Sequence, residues 1–220
     1  MRPYDASMRA LTPLLIAPLL AASVALPAKA ADVVVTLTTP AGKPVANAVV
    51  TVKSAAGAGG PASRLSGPFV MLQKDMQFEP FVLVVPVGAE VSFPNQDPYR
   101  HHVYSFSPAK TFELKLYGKD ETRIVRFDKP GVVVLGCNIH DNMSAYIVVV
   151  DAPYAAKTDA RGEAVLHDVP AGAAMLTVWQ PFMKAKGGEI SRPISAPGSG
   201  QLRLALTADL RNAPLRRAGY

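Results

Sequence analysis

Seven residues near the middle of the chain carry the most distinctive chemistry. The stretch CNIHDNM begins at Cys137, contains His140 and ends at Met143, so a thiol, an imidazole and a thioether follow at three-residue intervals. Cys137 is the only cysteine of the 220 residues, and two further histidines, His101 and His102, lie upstream. One thiolate, two imidazoles and a weak axial thioether are the ligands of a mononuclear blue-copper electron-transfer site. These residue types predict one copper ion that alternates between Cu(I) and Cu(II).

The spacing of these residues favours metal ligation over ordinary packing. A lone buried cysteine or methionine is usually a packing residue, but here Cys137 and Met143 share one short loop with His140, directly after the apolar run VVVLG. One loop at a sheet end would supply three ligands and a second strand the fourth, and a loop fixed at two points is rigid. Copper leads the divalent affinity order, and a thioether is a less natural ligand for zinc.

The N-terminal segment predicts the compartment of the protein, and the compartment determines whether a free thiol would oxidise. Residues 1–30 are predicted to be a signal peptide, with basic Arg2 and Arg9, an apolar run and a small-x-small cleavage site at 28–30. The run is short for a membrane anchor and contains prolines. We therefore expect a periplasmic protein that begins at Ala31 and has no membrane span after cleavage. Thiols oxidise in such compartments, and coordination to a metal would protect the single cysteine.

The elements that must hold these residues are strands. Short β-branched and aromatic runs alternate with Pro, Gly and Asn turns almost throughout, which is typical of an all-β sandwich or barrel. No segment has a sustained helical period, although the sequence allows a short helical turn near 107–112. The clearest strand-like runs are 33–37, 48–52, 69–72, 81–87, 89–93, 102–106, 111–116, 122–127, 131–136, 145–150 and 201–206.

Two longer segments together resemble a known family. FPNQDPYRHHVYSFS and FDKPGVVVLGCNIHDNMSAYIVV look like a cupredoxin (blue-copper) domain of the amicyanin- and plastocyanin-like, methylamine-utilisation type, over about residues 64–151. The resemblance implies a Greek-key β-sandwich in which Cys137, His140 and Met143 bind copper.

The fourth ligand is a choice between two adjacent histidines. Strand alternation puts His102 on the face of Tyr104 and Phe106, which would point inward if that face is the core. The family usually has Asn, Ser or Thr and then Val after its ligand histidine, and aligning that valine with Val103 makes His101 the ligand. We prefer His101, because a junction between loop and strand need not obey strict alternation, and keep His102 as the alternative.

A second resemblance covers the flanking sequence. TDARGEAVLHDVPAGAAMLTVWQP is similar to the carboxypeptidase regulatory-like (transthyretin-type) β-sandwich, which serves as a structural or adhesive unit. It implies that 32–53 and 155–208 form one small sandwich. The cupredoxin domain at 64–151 would be inserted into or joined to it, and 209–220 would form a basic C-terminal tail.

The resulting functional prediction is electron transfer between periplasmic redox proteins, one a donor and one an acceptor. The resemblance implies His140 as the electron port, and the predicted docking face around it comprises Pro98, Tyr99, Asn138, Ile139 and Asp141. The alternatives are a copper delivery or storage protein, with His102 and the methionines as extra contacts, and a non-redox interaction module with a structural metal site.

Other functional classes find no support in the sequence. The net charge is +6, but there is no basic stripe with interleaved aromatics, so nucleic-acid binding is not expected. No nucleophile–base arrangement and no second histidine-rich centre are present, so we do not expect an enzyme.

Overall fold

The fold is described by a computed structural model that covers residues 30–54 and 64–212. Within these residues there are seventeen strands, one 3-10 turn at Lys186–Gly188 and no α-helix, which confirms the predicted all-β class. No helix in this part of the chain is long and apolar enough to cross a membrane. The predicted signal peptide, apart from Ala30, and the end of the predicted tail, 213–220, lie outside the described residues.

In chain order the strands are β1 Ala30–Thr38, β2 Val49–Ser54, β3 Phe69–Val70, β4 Leu72–Lys74, β5 Gln77–Glu79, β6 Val82–Pro86, β7 Ala89–Pro94, β8 His101–Ser107, β9 Lys110–Tyr117, β10 Thr122–Phe127, β11 Gly131–Cys137, β12 Ser144–Val150, β13 Tyr154–Lys157, β14 Glu163–Pro170, β15 Gly172–Trp179, β16 Glu189–Ala196 and β17 Gln201–Thr207.

The two ends of the chain build one pair of packed sheets. A three-stranded sheet, β14-β1-β17, faces a four-stranded sheet, β13-β2-β15-β16. Alternate residues of each strand point into the shared core: Val33 and Val35 of β1 meet Val50 and Val52 of β2, all fully buried. β17 runs parallel to β1 in continuous register, so the C-terminal strand closes the sheet that the N-terminal strand begins.

The middle of the chain builds a second pair of packed sheets, and this pair carries the site. The sheet β10-β7-β3 faces the five-stranded sheet β6-β12-β11-β8-β9, and β4-β5 forms a separate hairpin. Phe93 and Phe127 fill the core from one sheet, and Val133, Leu135 and Ile147 fill it from the other. The division into domains at 64–151 and at 32–53 with 155–208 stays a prediction.

A third apolar cluster joins the two sandwiches. Val148 and Val150 of β12 point away from the core around Ile147 and meet Trp179 of β15, whose ring lies 5.6 Å from that of Tyr146. The second half of β12 is consequently buried on both faces, which explains the apolar run of residues 147–150. The Trp179 ring thus packs between the two sandwiches.

Two local expectations differ from the structure. The segment 107–112 is not helical: β8 and β9 form a hairpin, with Ser107 paired to Lys110 across a two-residue turn. Pro108 begins that turn, where its fixed φ suits a turn and not a helix interior. The strand β16 is also not among the predicted strands, because residues 185–200 are rich in Gly, Ser and Pro. It contains Pro193. It is an edge strand, where a missing backbone N–H is tolerated.

The turn before β14 depends on a glycine. Gly162 has φ +75, and a Cβ there would lie 2.4 Å from the Leu37 carbonyl oxygen and 3.0 Å from the Val45 nitrogen. The Gly162 carbonyl also accepts a hydrogen bond of 2.8 Å from the Leu37 N–H, so the turn cannot move away without losing it.

We therefore expect Gly162→Ala to lower the free energy of unfolding more than Gly200→Ala does. Gly200 has a matching φ of +77 but no atom within 4 Å of a built Cβ. The control should cost about 1–2 kcal/mol for the left-handed backbone. Gly162→Ala should cost about 1–3 kcal/mol more for overpacking. Urea unfolding of both variants measures the difference, and equal losses would contradict this account of the turn.

Candidate metal centre

Backbone pairing brings the predicted ligands to one end of the five-stranded sheet. Cys137 is the last residue of β11 and pairs with Val103 of the antiparallel strand β8, two residues from His101 at the start of that strand. The loop that follows Cys137 turns back at once into β12. Its backbone closes on itself, since the Met143 N–H donates to the His140 carbonyl at 3.0 Å and the Cys137 N–H to the Met143 carbonyl at 3.2 Å.

The alternation of buried and more exposed residues along β8 places the His101 side chain on the face that points into the core. His101, Val103 and Ser105 are fully buried, whereas Phe106 is 78% exposed and its ring contacts that of Tyr104 at a tilt on the outer face. The interpretation that would have made the Tyr104 and Phe106 face the core is therefore wrong. His101 obeys strict alternation, and the exception for a strand junction is not needed. Aromatic residues on an outer sheet face gave the misleading signal.

The ring of His102 contacts Glu113 instead of the Cys137 thiol. Its Nε2 lies 2.8 Å from Glu113 Oε1, and the Glu113 side chain is largely exposed. Only the backbone of His102 takes part in the site, since its carbonyl accepts a 3.0 Å hydrogen bond from the Asn138 N–H.

Three donor atoms converge as a possible metal site. The Cys137 sulfur lies 3.7 Å from His101 Nδ1 and 3.8 Å from His140 Nδ1, and the three atoms all lie within 4.8 Å of one another. With bonds of about 2.1 Å to nitrogen and about 2.3 Å to sulfur, as for zinc, two ligands at 120° would be separated by about 3.8 Å. The two sulfur–nitrogen distances are therefore compatible with one metal ion bound by the sulfur and both nitrogens.

The electrostatics of the group prepare the thiol for ligation. Burial raises the pKa of the Cys137 thiol, but hydrogen bonds from surrounding donors outweigh burial and lower it to about 6. For His101 the effect of burial is opposite and lowers the pKa of the ring. Its hydrogen bonds to Cys137 and Asp97 outweigh burial, so the pKa of His101 is raised above its ordinary value. The donors to the thiol are the rings of His101 and His140 and the backbone N–H groups of His102 and Ile139. A deprotonated thiol is the form that binds metal.

Met143 is buried at the end of the loop, 1% exposed, and lines the same groove as Cys137. Its place in the fold is compatible with the predicted axial position, and ligation by its sulfur stays a prediction.

Sequence reasoning missed the role of one carboxylate. Asp97 is not among the predicted site residues, but its Oδ2 lies 2.7 Å from His101 Nε2, and both side chains are buried. Asn95 does shape the turn: its Oδ1 accepts from the Asp97 N–H at 2.9 Å, and its Nδ2 donates to the Tyr99 carbonyl at 2.8 Å. The available signal was an acidic residue four positions before a candidate ligand, in a turn rich in Pro and Asn.

The predicted docking residues surround the exposed side of this group. His140 is half-buried, and the ring of Tyr99 meets it edge-on at 6.3 Å. Tyr99 and Ile139 are large apolar side chains that are 55% and 49% exposed. The remaining members of the predicted face, Pro98, Asn138 and Asp141, are exposed as well.

The solved structures similar to this chain include a Cu-containing nitrite reductase from Thermus scotoductus SA-01, at 29% identity and a TM-score of 0.36. The match covers 42% of this chain and 24% of that one, so the matched part of this chain spans about a quarter of the reductase. Amicyanin mutants also match: a reduced Cu(I) form at pH 4 and an oxidised form, at 23% and 24% identity, both with a TM-score of 0.35. Each covers 46% of this chain and 97% of the amicyanin chain. The sequence matches no protein-family profile and no curated protein.

The lowered thiol pKa gives a prediction for the metal-free protein. Because the pKa of Cys137 is about 6, the side chain should be a neutral thiol below pH 6 and a thiolate above it. A titration of the ultraviolet thiolate absorbance should show this step, and Cys137→Ser should lack it. In His101→Ala the midpoint should rise, since a hydrogen bond to the sulfur is lost. A wild-type midpoint near the ordinary value for cysteine, about 8.5, would contradict the described surroundings of the thiol.

Proposed function

We propose that this protein is an exported mononuclear copper protein that carries single electrons between periplasmic redox partners. One observation carries the proposal: a buried thiol and a buried imidazole converge with a half-buried imidazole at one end of a β-sandwich, with sulfur–nitrogen distances of 3.7 and 3.8 Å. Export rests on the predicted signal peptide.

The chemistry of the donors supports copper as the metal. Thiolate and imidazole with a nearby thioether suit copper in both oxidation states, whereas zinc sites of proteins use cysteine, histidine and carboxylate ligands. Copper bound to this set would supply a one-electron change between Cu(II) and Cu(I).

The contribution of the chain is to keep the donor atoms in place. Cys137 and His101 are anchored on paired strands, and the loop that carries His140 is closed by two backbone hydrogen bonds. Donors fixed in this way need not rearrange when an electron arrives or leaves, which is what a rapid carrier requires.

The half-buried position of His140 supports a role as the electron port. His140 is the only one of the three donors that is not fully buried in the described structure. The apolar side chains of Tyr99 and Ile139 next to it suit a small, transient contact with a redox protein. Such encounters bury little area, because the complex must form and separate quickly.

Copper loading tests the proposal. Purified protein with Cu(II) should show an intense thiolate-to-copper absorption band in the visible range, and Cys137→Ser should abolish it. His101→Ala should also abolish it, whereas His102→Ala should leave it almost unchanged, because the His102 ring contacts Glu113. Loss of the band in His102→Ala alone would contradict the ligand assignment. A colourless ion that transfers readily to a chelator would contradict electron transfer and favour copper delivery.

The docking face can be tested without a known partner, because two copies of a copper protein exchange electrons with each other. Ile139→Lys should slow this self-exchange at least about tenfold, since like charges then meet at the contact while the reduction potential stays the same. Ile124→Lys is the matched control, as Ile124 is similarly exposed, 64%, but lies on β10 of the opposite sheet. NMR line broadening in mixtures of the two oxidation states measures the rate. Equal slowing in both variants would contradict the assigned face.

A further inference from the structure

The carboxylate behind His101 is buried together with the imidazole it contacts. Asp97 is 5% exposed and His101 is fully buried, with 2.7 Å between Asp97 Oδ2 and His101 Nε2. Burying an ionised carboxylate is costly unless hydrogen-bond donors surround it. The surroundings of Asp97 therefore show what holds the charge there.

Three donors meet the carboxylate. The N–H of Asp75 donates to Oδ1 at 2.6 Å, the N–H of Met76 donates to Oδ2 at 3.0 Å, and the His101 ring supplies the third contact. Asp75 and Met76 form the turn between β4 and β5, and both have positive φ, 52 and 55, which directs their N–H groups together onto Asp97. An ionised carboxylate accepts all three bonds, whereas an amide has one acceptor atom and one donor group.

This arrangement determines which ring nitrogen of His101 is free. Both carboxylate oxygens accept hydrogen bonds, so the His101 Nε2 must carry a proton and donate it to Asp97. In the imidazolium form Nδ1 also carries a proton, which it donates toward the Cys137 sulfur 3.7 Å away. In the neutral ring, which is the form that binds metal, Nδ1 is left with its lone pair. A partner at one imidazole nitrogen commonly fixes the tautomer and raises the basicity of the other.

The negative charge of Asp97 would also change the relative stability of the Cu(II) and Cu(I) forms. A thiolate and a carboxylate carry two negative charges, which would neutralise Cu(II) and leave a net negative charge with Cu(I). In a poorly screened interior the neutral combination is favoured.

Building on the proposed copper function, we propose that Asp97 is a positioning residue that makes His101 an Nδ1 donor and lowers the reduction potential of the centre. The Asp97 carboxylate contacts the far side of the His101 ring, and the backbone N–H groups of the β4–β5 turn hold it there.

Another pair of side chains in this protein can serve as the control for an experiment on Asp97. His102 and Glu113 form a second imidazole–carboxylate pair at a similar distance, 2.8 Å, but the Glu113 side chain is 56% exposed and its histidine points away from the site. Removing the Glu113 charge deletes the same kind of group from an exposed pair, where solvent screens it.

The experiment compares Asp97→Asn with Glu113→Gln in the full mature chain. In copper-loaded protein, Asp97→Asn should shift the Cu(II)/Cu(I) equilibrium at least tenfold toward Cu(I), which is about 59 mV upward for a one-electron couple. Cu(II) affinity should fall roughly 10–100-fold, as for other partners of metal ligands, with a smaller loss for Cu(I). Glu113→Gln should change both quantities less than twofold. Equal potentials in Asp97→Asn and wild type would overturn the proposal.

A measurement on the unmodified, metal-free protein keeps the proposal testable if Asp97→Asn does not fold. Nitrogen NMR of the His101 ring, in buffer alkaline enough to keep the ring neutral, should show the proton on Nε2. A proton on Nδ1 would overturn the proposal. This readout also separates the two hypotheses: if wild type shows no thiolate-to-copper band, the copper function fails, while the tautomer still reports on Asp97.

Discussion

The pairing of β11 with β8 determines where every donor of the candidate centre lies. Cys137 ends one strand and pairs with Val103 of the other, so the thiol is fixed beside His101 by the backbone and not by side-chain packing alone. A shift of one residue in this register would turn His101 to the outer face and bring His102 inward. The register is protected because Val103, Val133 and Leu135 of the same strands are fully buried in one core.

The rest of the molecule supports this arrangement from two directions. On one side, the β4–β5 turn holds Asp97, which in turn holds His101, so a segment more than twenty residues upstream in sequence orients a donor atom. On the other side, β12 returns from the ligand loop, and its Val148 packs against Trp179 of the flanking sandwich. The flanking sandwich thus covers the outer face of the strand that follows the loop.

Most residues of the candidate centre could be predicted from the sequence, because they are close to one another in the chain. Cys137, His140 and Met143 share one short loop, so their proximity follows from covalent spacing. His101 needed the family pattern, since alternation alone was ambiguous until burial showed that Phe106 faces solvent. Asp97 could not be assigned, because its role depends on a contact with the β4–β5 turn that no local pattern records. Strand β16 was missed because Pro193 argues against a strand except at an edge, and edges are decided by the whole sheet.

We propose that one copper ion is held by the sulfur of Cys137 and the Nδ1 atoms of His101 and His140. Anomalous diffraction at the copper edge from crystals of the copper-loaded protein tests this ligand set. We expect a single strong peak between these three atoms, within bonding distance of each. A peak beside His102 and Glu113 instead, or no ordered copper near Cys137, would contradict it.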